Sequence, residues 1–251
     1  MRGTKIWIAA VTWGVVAVVA APGSALADEV PASAPASAPS PAPESIAEEL
    51  WAGHQLVTGS RPLPVFGDIE TRGESFVLAR ARITSDRIEL EQWPCVFRFK
   101  PVLGVSVRMS AATMKKLPRA RIRFLATGDQ AYRAPAWEVG WDRQDLDGDG
   151  HPGVTVQVDN AFCDGEVYTA SRSTSTALAR RLADGLEGDV TVRTRERVHD
   201  ASRLCLKAGS SEREEVQQGR FRYRRVAPGT RCEDLQIEAW PVRVDVEAQQ
   251  K

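Results

Sequence analysis

Three aspartates at alternate positions, Asp145, Asp147 and Asp149, stand in the run Asp145-Leu146-Asp147-Gly148-Asp149-Gly150-His151-Pro152-Gly153. Carboxylates at positions one, three and five of a turn project toward one centre, and a Gly at position six lets the backbone fold back around an ion. Hard oxygen donors at this spacing suit calcium. The backbone carbonyl of His151, at position seven, can add an oxygen without using the imidazole, and Asp159, Asp142 and Asp164 are further acids near in sequence. Position nine is Gly153 and position twelve is Val156, so the bidentate Glu of tight loops is missing. The expected site is therefore weak, roughly 10⁻⁴ to 10⁻³ M, and structural. The alternative is an Asp/Gly-rich turn without an ion, in which three acids repel one another unrelieved.

Other side chains offer little for catalysis. His54, His151 and His199 are the only bases that titrate near neutrality, and none stands in a motif that couples it to a nucleophile. His199 beside Asp200 invites a Ser-His-Asp arrangement with Ser171, Ser173, Ser175 or Ser202, but no spacing supports it. Trp137 and Trp141, just before the acidic run, fit either a rim that stacks on a ligand or ordinary core packing.

Charge excludes one class of partner. The 251 residues carry 33 Lys+Arg against 33 Asp+Glu, so a nucleic-acid binder is not expected. Arg alternates with apolar or small residues in Arg119/Arg121/Arg123, Arg193/Arg195/Arg197 and Arg220/Arg222/Arg224. On neighbouring strands these would form one cationic face; with Glu89, Glu91 and Glu196 as cross-strand partners they would be a solvated, neutralised one.

The start of the chain indicates export. Arg2 and Lys5 precede an apolar stretch from Ile6 to Ala21, and Ala25-Leu26-Ala27 has the small-x-small form that signal peptidase reads, so residues 1–27 are expected to be removed. No span long enough to cross a membrane follows. Residues 28–43, dominated by Pro, Ala and Ser, read as a tether, residues 44–246 as one folded domain, and 247–251 as a tail. Periplasmic and extracellular destinations are equally compatible with such a leader.

Four cysteines in an exported chain imply two disulfides. If residues 166–182 fold back on 189–202 across a turn near Gly185, paired positions sum to about 370 and Cys163 falls close to Cys205. That leaves Cys95 for Cys232.

The elements that must position these groups read as strands. Apolar residues recur with period two in Val77/Ala79/Ala81/Ile83, Ile88/Leu90, Phe97/Phe99, Ala120/Ile122/Phe124, Val154/Val156/Val158, Val190/Val192/Thr194, Phe221/Tyr223 and Val242/Val244/Val246. Turn residues at 84–86, 127–129, 147–153, 183–185 and 227–229 separate them. Nine or ten strands in one all-β domain predict a single antiparallel barrel, with a lipocalin-like strand count, or a two-layer sandwich. Helix is expected only at 44–51 and 110–117.

The acidic run resembles the calcium loops of EF-hand, dockerin and thrombospondin type 3 repeats over these nine residues. From Leu50-Trp51 through Pro152-Gly153-Val154-Thr155-Val156 to Gly165-Glu166-Val167-Tyr168, the chain resembles a group of exported bacterial proteins with no agreed activity. That likeness implies one exported domain and no substrate. Together these features predict a non-catalytic binding protein holding a small apolar or lipid-like ligand inside the barrel. An envelope structural or protein-interaction module is the first alternative, and a calcium-dependent hydrolase the second. No oligomeric state is predicted from these features.

Overall fold

The computed structural model describes residues 46–63, 67–207 and 212–244. The expected leader, tether and tail lie outside these residues. Alternation of apolar with charged or small side chains makes ten strands: β1 (Ala47–Leu63), β2 (Gly67–Ile83), β3 (Arg87–Phe99), β4 (Ser106–Arg108), β5 (Ala120–Gly128), β6 (Ala131–Trp141), β7 (Val154–Asp159), β8 (Gly165–Leu182), β9 (Gly185–Ala201) and β10 (Arg213–Arg225). Two short helices, α1 (Ala111–Lys116) and α2 (Leu204–Lys207), interrupt them.

All strand pairings are antiparallel, and the order β1-β2-β3-β5-β6-β8-β9-β10 returns to β1, which makes a partly closed ring. The all-β expectation holds. One edge of β8 is shared: residues 171–180 pair with β6 and residues 165–169 with β7, while β4 adds to β7. The acidic run joins β6 to β7 where β8 passes from one partner to the other.

Inward-facing side chains divide the interior into two halves. Trp51, Ala79, Ile88, Leu90, Phe124 and Phe221 fill one half and are almost completely buried. Toward the other end the inward positions turn polar, with Ser171, Ser173, Thr194, Glu196 and Gln217. The outer face of β1 and β2 is also buried at Ala52, Phe76 and Leu78, because residues 226–244 fold back over it and seat Trp240 and Val242 there. Trp240 Nε1 donates to the Gly53 carbonyl at 3.1 Å, and the Cys95–Cys232 disulfide ties this strap to β3.

The β8–β9 hairpin pairs positions that sum to 367, and to 368 beyond the bulge at Tyr168/Thr169. Extending that register brings Cys163 to Cys205, which form the second disulfide. Two expectations are corrected. Residues 47–51 are strand, not helix, because Trp51 faces inward while Leu50 and Ala52 face out, and the segment pairs with β2 and, from Trp51, with β10. Val242 and Val244 are buried in the irregular strap, where their burial comes from the outer face of the ring and needs no strand partner; Val246 lies outside the described residues. The helix at 110–117 forms, with Ser110 Oγ accepting the Thr113 N–H at its start.

Candidate functional site

The acidic loop gathers three of its predicted ligands. Asp145, Asp147 and Asp149 each offer a carboxylate oxygen within 4.8 Å of the others. Gly148, Gly150 and Gly153 all take positive φ, which lets the chain coil this tightly. Gly153 also passes against the Thr169 carbonyl, where a side chain has no space. Asp145 accepts the N–H groups of Gly148 (2.6 Å) and Gly150 (2.9 Å), and these bonds, the Gly150 one foremost, hold its carboxyl below the usual range. Asp149 accepts from His151 N–H and Thr155 Oγ1. Asp147 Oδ2 accepts from Thr155 N–H (2.9 Å) and Thr113 Oγ1 (3.2 Å), but its Oδ1 is buried without a partner. A buried carboxylate oxygen lacking a donor fits a cation in the loop.

Two other expected ligands stand apart from that centre. The His151 ring stacks on Tyr168 at 3.9 Å, and its nitrogens are not among the clustered ligand atoms. Asp159 lies at the far end of β7, where it faces Arg108 at 3.4 Å. It is not part of the cluster. Asp142 caps the Arg143 N–H and Asp164 faces Arg203.

Inside the ring, two small voids lie among the described residues of the polar half. One of about 50 Å³ is lined by Gln55, Ser75, Gln92, Ser173 and Ser175 among others, and one of about 20 Å³ by Gln55, Ser75 and Gln217 among others. Beyond them, Arg61 pairs with Glu215 at 2.9 Å, and Gln217 and Thr71 donate to the same carboxylate. Glu196 is only 5% exposed, its Oε1 has no partner, and burial pushes its carboxyl up to about 8 against the opposing pull of Arg61 and Arg213.

The largest of these spaces is on the outside. β5 and β6 pair only at Leu125–Arg133, Ala126–Tyr132 and Gly128–Ala131. From there β6 turns away at Pro135, where its register with β8 shifts between Ala134 and Trp137. The wall therefore splits between β5 and β6. Farther along, Met114 and Leu117 of the α1 region pack with Val139 and Trp141 and fill part of the opening. The remainder is a groove of about 750 Å³. Its walls carry Arg121 and Arg123 from β5, Pro135 and Trp137 from β6, and Arg80 and Arg82 from β2, with Leu90 and Ile122 at its base. Trp137 lines both this groove and the inner void, so its ring is the partition between them.

The three Arg runs do not make one face. β9 and β10 are neighbours, but β5 lies four strands from β10. Arg193 and Arg195 pair with Glu214, Arg222 with Glu187, and Arg224 with Asp184. Glu196 was expected among these partners; it faces inward because its neighbours Arg195 and Arg197 face out. Trp141 is buried and donates to the Thr169 carbonyl at 2.8 Å, so it is core. The Ser173 hydroxyl bonds Thr194, Ser202 accepts the Glu166 N–H, and Asp200 faces Lys207, so these groups are engaged away from His199. The groove itself was not read from the sequence, although Pro135 inside an alternating run was a signal that pairing stops there.

No family model matches the chain, and neither a curated protein nor a solved structure matches it. Among the described residues no helix is long and apolar enough to cross a membrane. The two disulfides fit a non-reducing compartment.

Proposed function

We propose that the protein is an exported, non-catalytic interaction module that engages a partner at the outer wall of its ring. The observation that supports this reading is the contrast in space. The groove between β5 and β6 has about 750 Å³, within the range of roughly 300–1,000 Å³ typical of ligand sites, whereas the inner voids lined by the described residues measure about 50 and 20 Å³. Voids of that size suit a few waters at most and not an acyl chain, which weighs against the lipid-in-barrel reading. Native mass spectrometry of the full chain, with extraction into organic solvent, tests the choice. The module reading expects the bare protein mass and no saturable binding of a fatty acid; a stoichiometric acyl ligand would return the lumen reading.

In the same reading the acidic loop holds calcium through Asp145, Asp147 and Asp149, with the His151 carbonyl as a further donor, and the ion stiffens the β6–β7 connection. The unpartnered Asp147 Oδ1 favours it. At calcium about tenfold above a weak dissociation constant, the gain in stability is about 1.4 kcal/mol, or roughly 3–6 °C in Tm. Melting in calcium and in chelator should show that shift, and Asp147→Ala should abolish it. Equal melting temperatures at several millimolar calcium would leave the loop an ion-free turn.

A further inference from the structure

We infer that the groove is a strand-addition site, which takes an extended acidic segment of a partner protein onto the free edge of β5. This deepens the interaction-module reading and rests on it. The geometry begins with hydrogen-bond parity. Ala126 N–H donates to the Asp86 carbonyl at 2.8 Å, on the β3 side. In an antiparallel pair the N–H and C=O of one residue point the same way and alternate along the strand. Residues 120, 122 and 124 therefore bond β3, where they face Gln92, Leu90 and Ile88. Arg121 and Arg123 point their N–H and C=O groups the other way, into the split, where β6 supplies no partner. Two residues thus present a ready ladder of four backbone groups, the arrangement that accepts an added strand.

Side chains specify what that strand carries. Arg121 and Arg123 project outward while Ile122 is buried at 4% exposure, so an incoming segment alternates between residues facing the Arg side and residues facing Ile122 and Trp137. On the outer side the cations exceed the acids. Glu91 is shared by Arg80 (3.3 Å) and Arg119 (3.6 Å), Glu89 serves Arg123 (3.2 Å), and Glu48 serves Arg82 (3.1 Å). Arg121 has no ion-pair partner among the described residues. An acidic residue opposite Arg121 meets the uncommitted charge, and apolar residues on alternate positions meet the base of the groove. A second copy of this chain is a poorer occupant, because two β5 edges paired antiparallel would set Arg119, Arg121 and Arg123 against their own counterparts.

The test uses the full oxidised chain and a labelled heptapeptide, Thr-Glu-Val-Glu-Val-Glu-Thr, read by fluorescence anisotropy. Controls are the same peptide with Lys for Glu, and two versions N-methylated at alternate amides. Strand addition predicts saturable binding of the acidic peptide, none of the basic one, and loss of binding for only one of the two methylated registers. Arg121→Pro removes an N–H that faces the split and none that bonds β3, so it should weaken binding about tenfold with the fold kept. Arg121→Gln should weaken it about threefold by losing charge alone. Equal affinity for both methylated peptides, or for the Lys peptide, overturns the proposal, as does a self-associated protein in sedimentation that Arg121→Glu alters. Native spectra on the same sample separate the two levels. Failure of the acidic peptide with a ligand-free spectrum ends strand addition alone, and an acyl ligand in the spectrum ends the interaction-module reading with it.

Discussion

Glu196 shows how one inward-facing residue sets a property of the whole protein. Its ordinary carboxyl value is 4.5 and its folded value is about 8, so the folded chain holds a proton that the unfolded chain releases. The stabilising contribution of that proton is fully present below about 4.5, falls as pH rises, and is lost once pH passes about 8. Stability measured by urea unfolding should therefore decline across this window by up to a few kcal/mol. Glu196→Gln should flatten the decline and exceed the parent above pH 8, with the two converging near pH 5. A Gln variant that tracks the parent at every pH would show that the carboxyl is not buried as described. Sequence reasoning set Glu196 among the outward partners of the Arg runs, although strict alternation puts it on the other face from Arg195 and Arg197; its burial near Arg61, Arg213 and Glu215 depends on strands distant in sequence.

At the scale of elements, the contest is between regular pairing and the turn chemistry that breaks it. Strand existence was plain wherever period two was unbroken, as in β2, β5, β7 and β9. Residues 84–86 fall between strands as expected, and the turns expected at 127–129 and 183–185 overlap strand ends, with only Asp129 and residues 183–184 of them outside a strand. Segment 47–51 misled because Ile46, Leu50 and Trp51 also satisfy a helical spacing, and pairing to β2 and β10 decided against it. The acidic loop was legible as a cluster, since Asp145, Asp147 and Asp149 are local, whereas Asp159 was not excluded because the straightness of β7, which carries it away, is a three-dimensional fact. Trp137 is the element that keeps groove and lumen apart. Trp137→Ala should remove this partition and admit an apolar dye such as anilinonaphthalene sulfonate, with a loss of about 2–4 kcal/mol. Unchanged dye fluorescence in a folded variant would mean that another group seals the wall.

For the whole molecule, closure of the ring and the strap over its outer face work together. The Cys95–Cys232 bridge spans 137 residues and Cys163–Cys205 spans 42. Chain entropy favours the longer loop by about 1 kcal/mol, and only that bridge also fastens Trp240 and Val242 over Phe76 and Leu78. Replacing Cys95 and Cys232 by Ser should lower Tm by several degrees more than replacing Cys163 and Cys205. Equal losses would indicate that the strap holds by packing alone. The pairing of a ring tied in this way is interrupted between β5 and β6, where the proposed partner would bind.

Amide hydrogen exchange along β5 tests that placement most directly. In the free protein the N–H groups of Ile122 and Phe124 should be strongly protected by β3, while those of Arg121 and Arg123 exchange rapidly, and adding the acidic heptapeptide should protect Arg121 and Arg123 in turn. Slow exchange at Arg121 and Arg123 before any peptide is added would mean that the wall is already closed, and would contradict both the open edge and the function assigned to it.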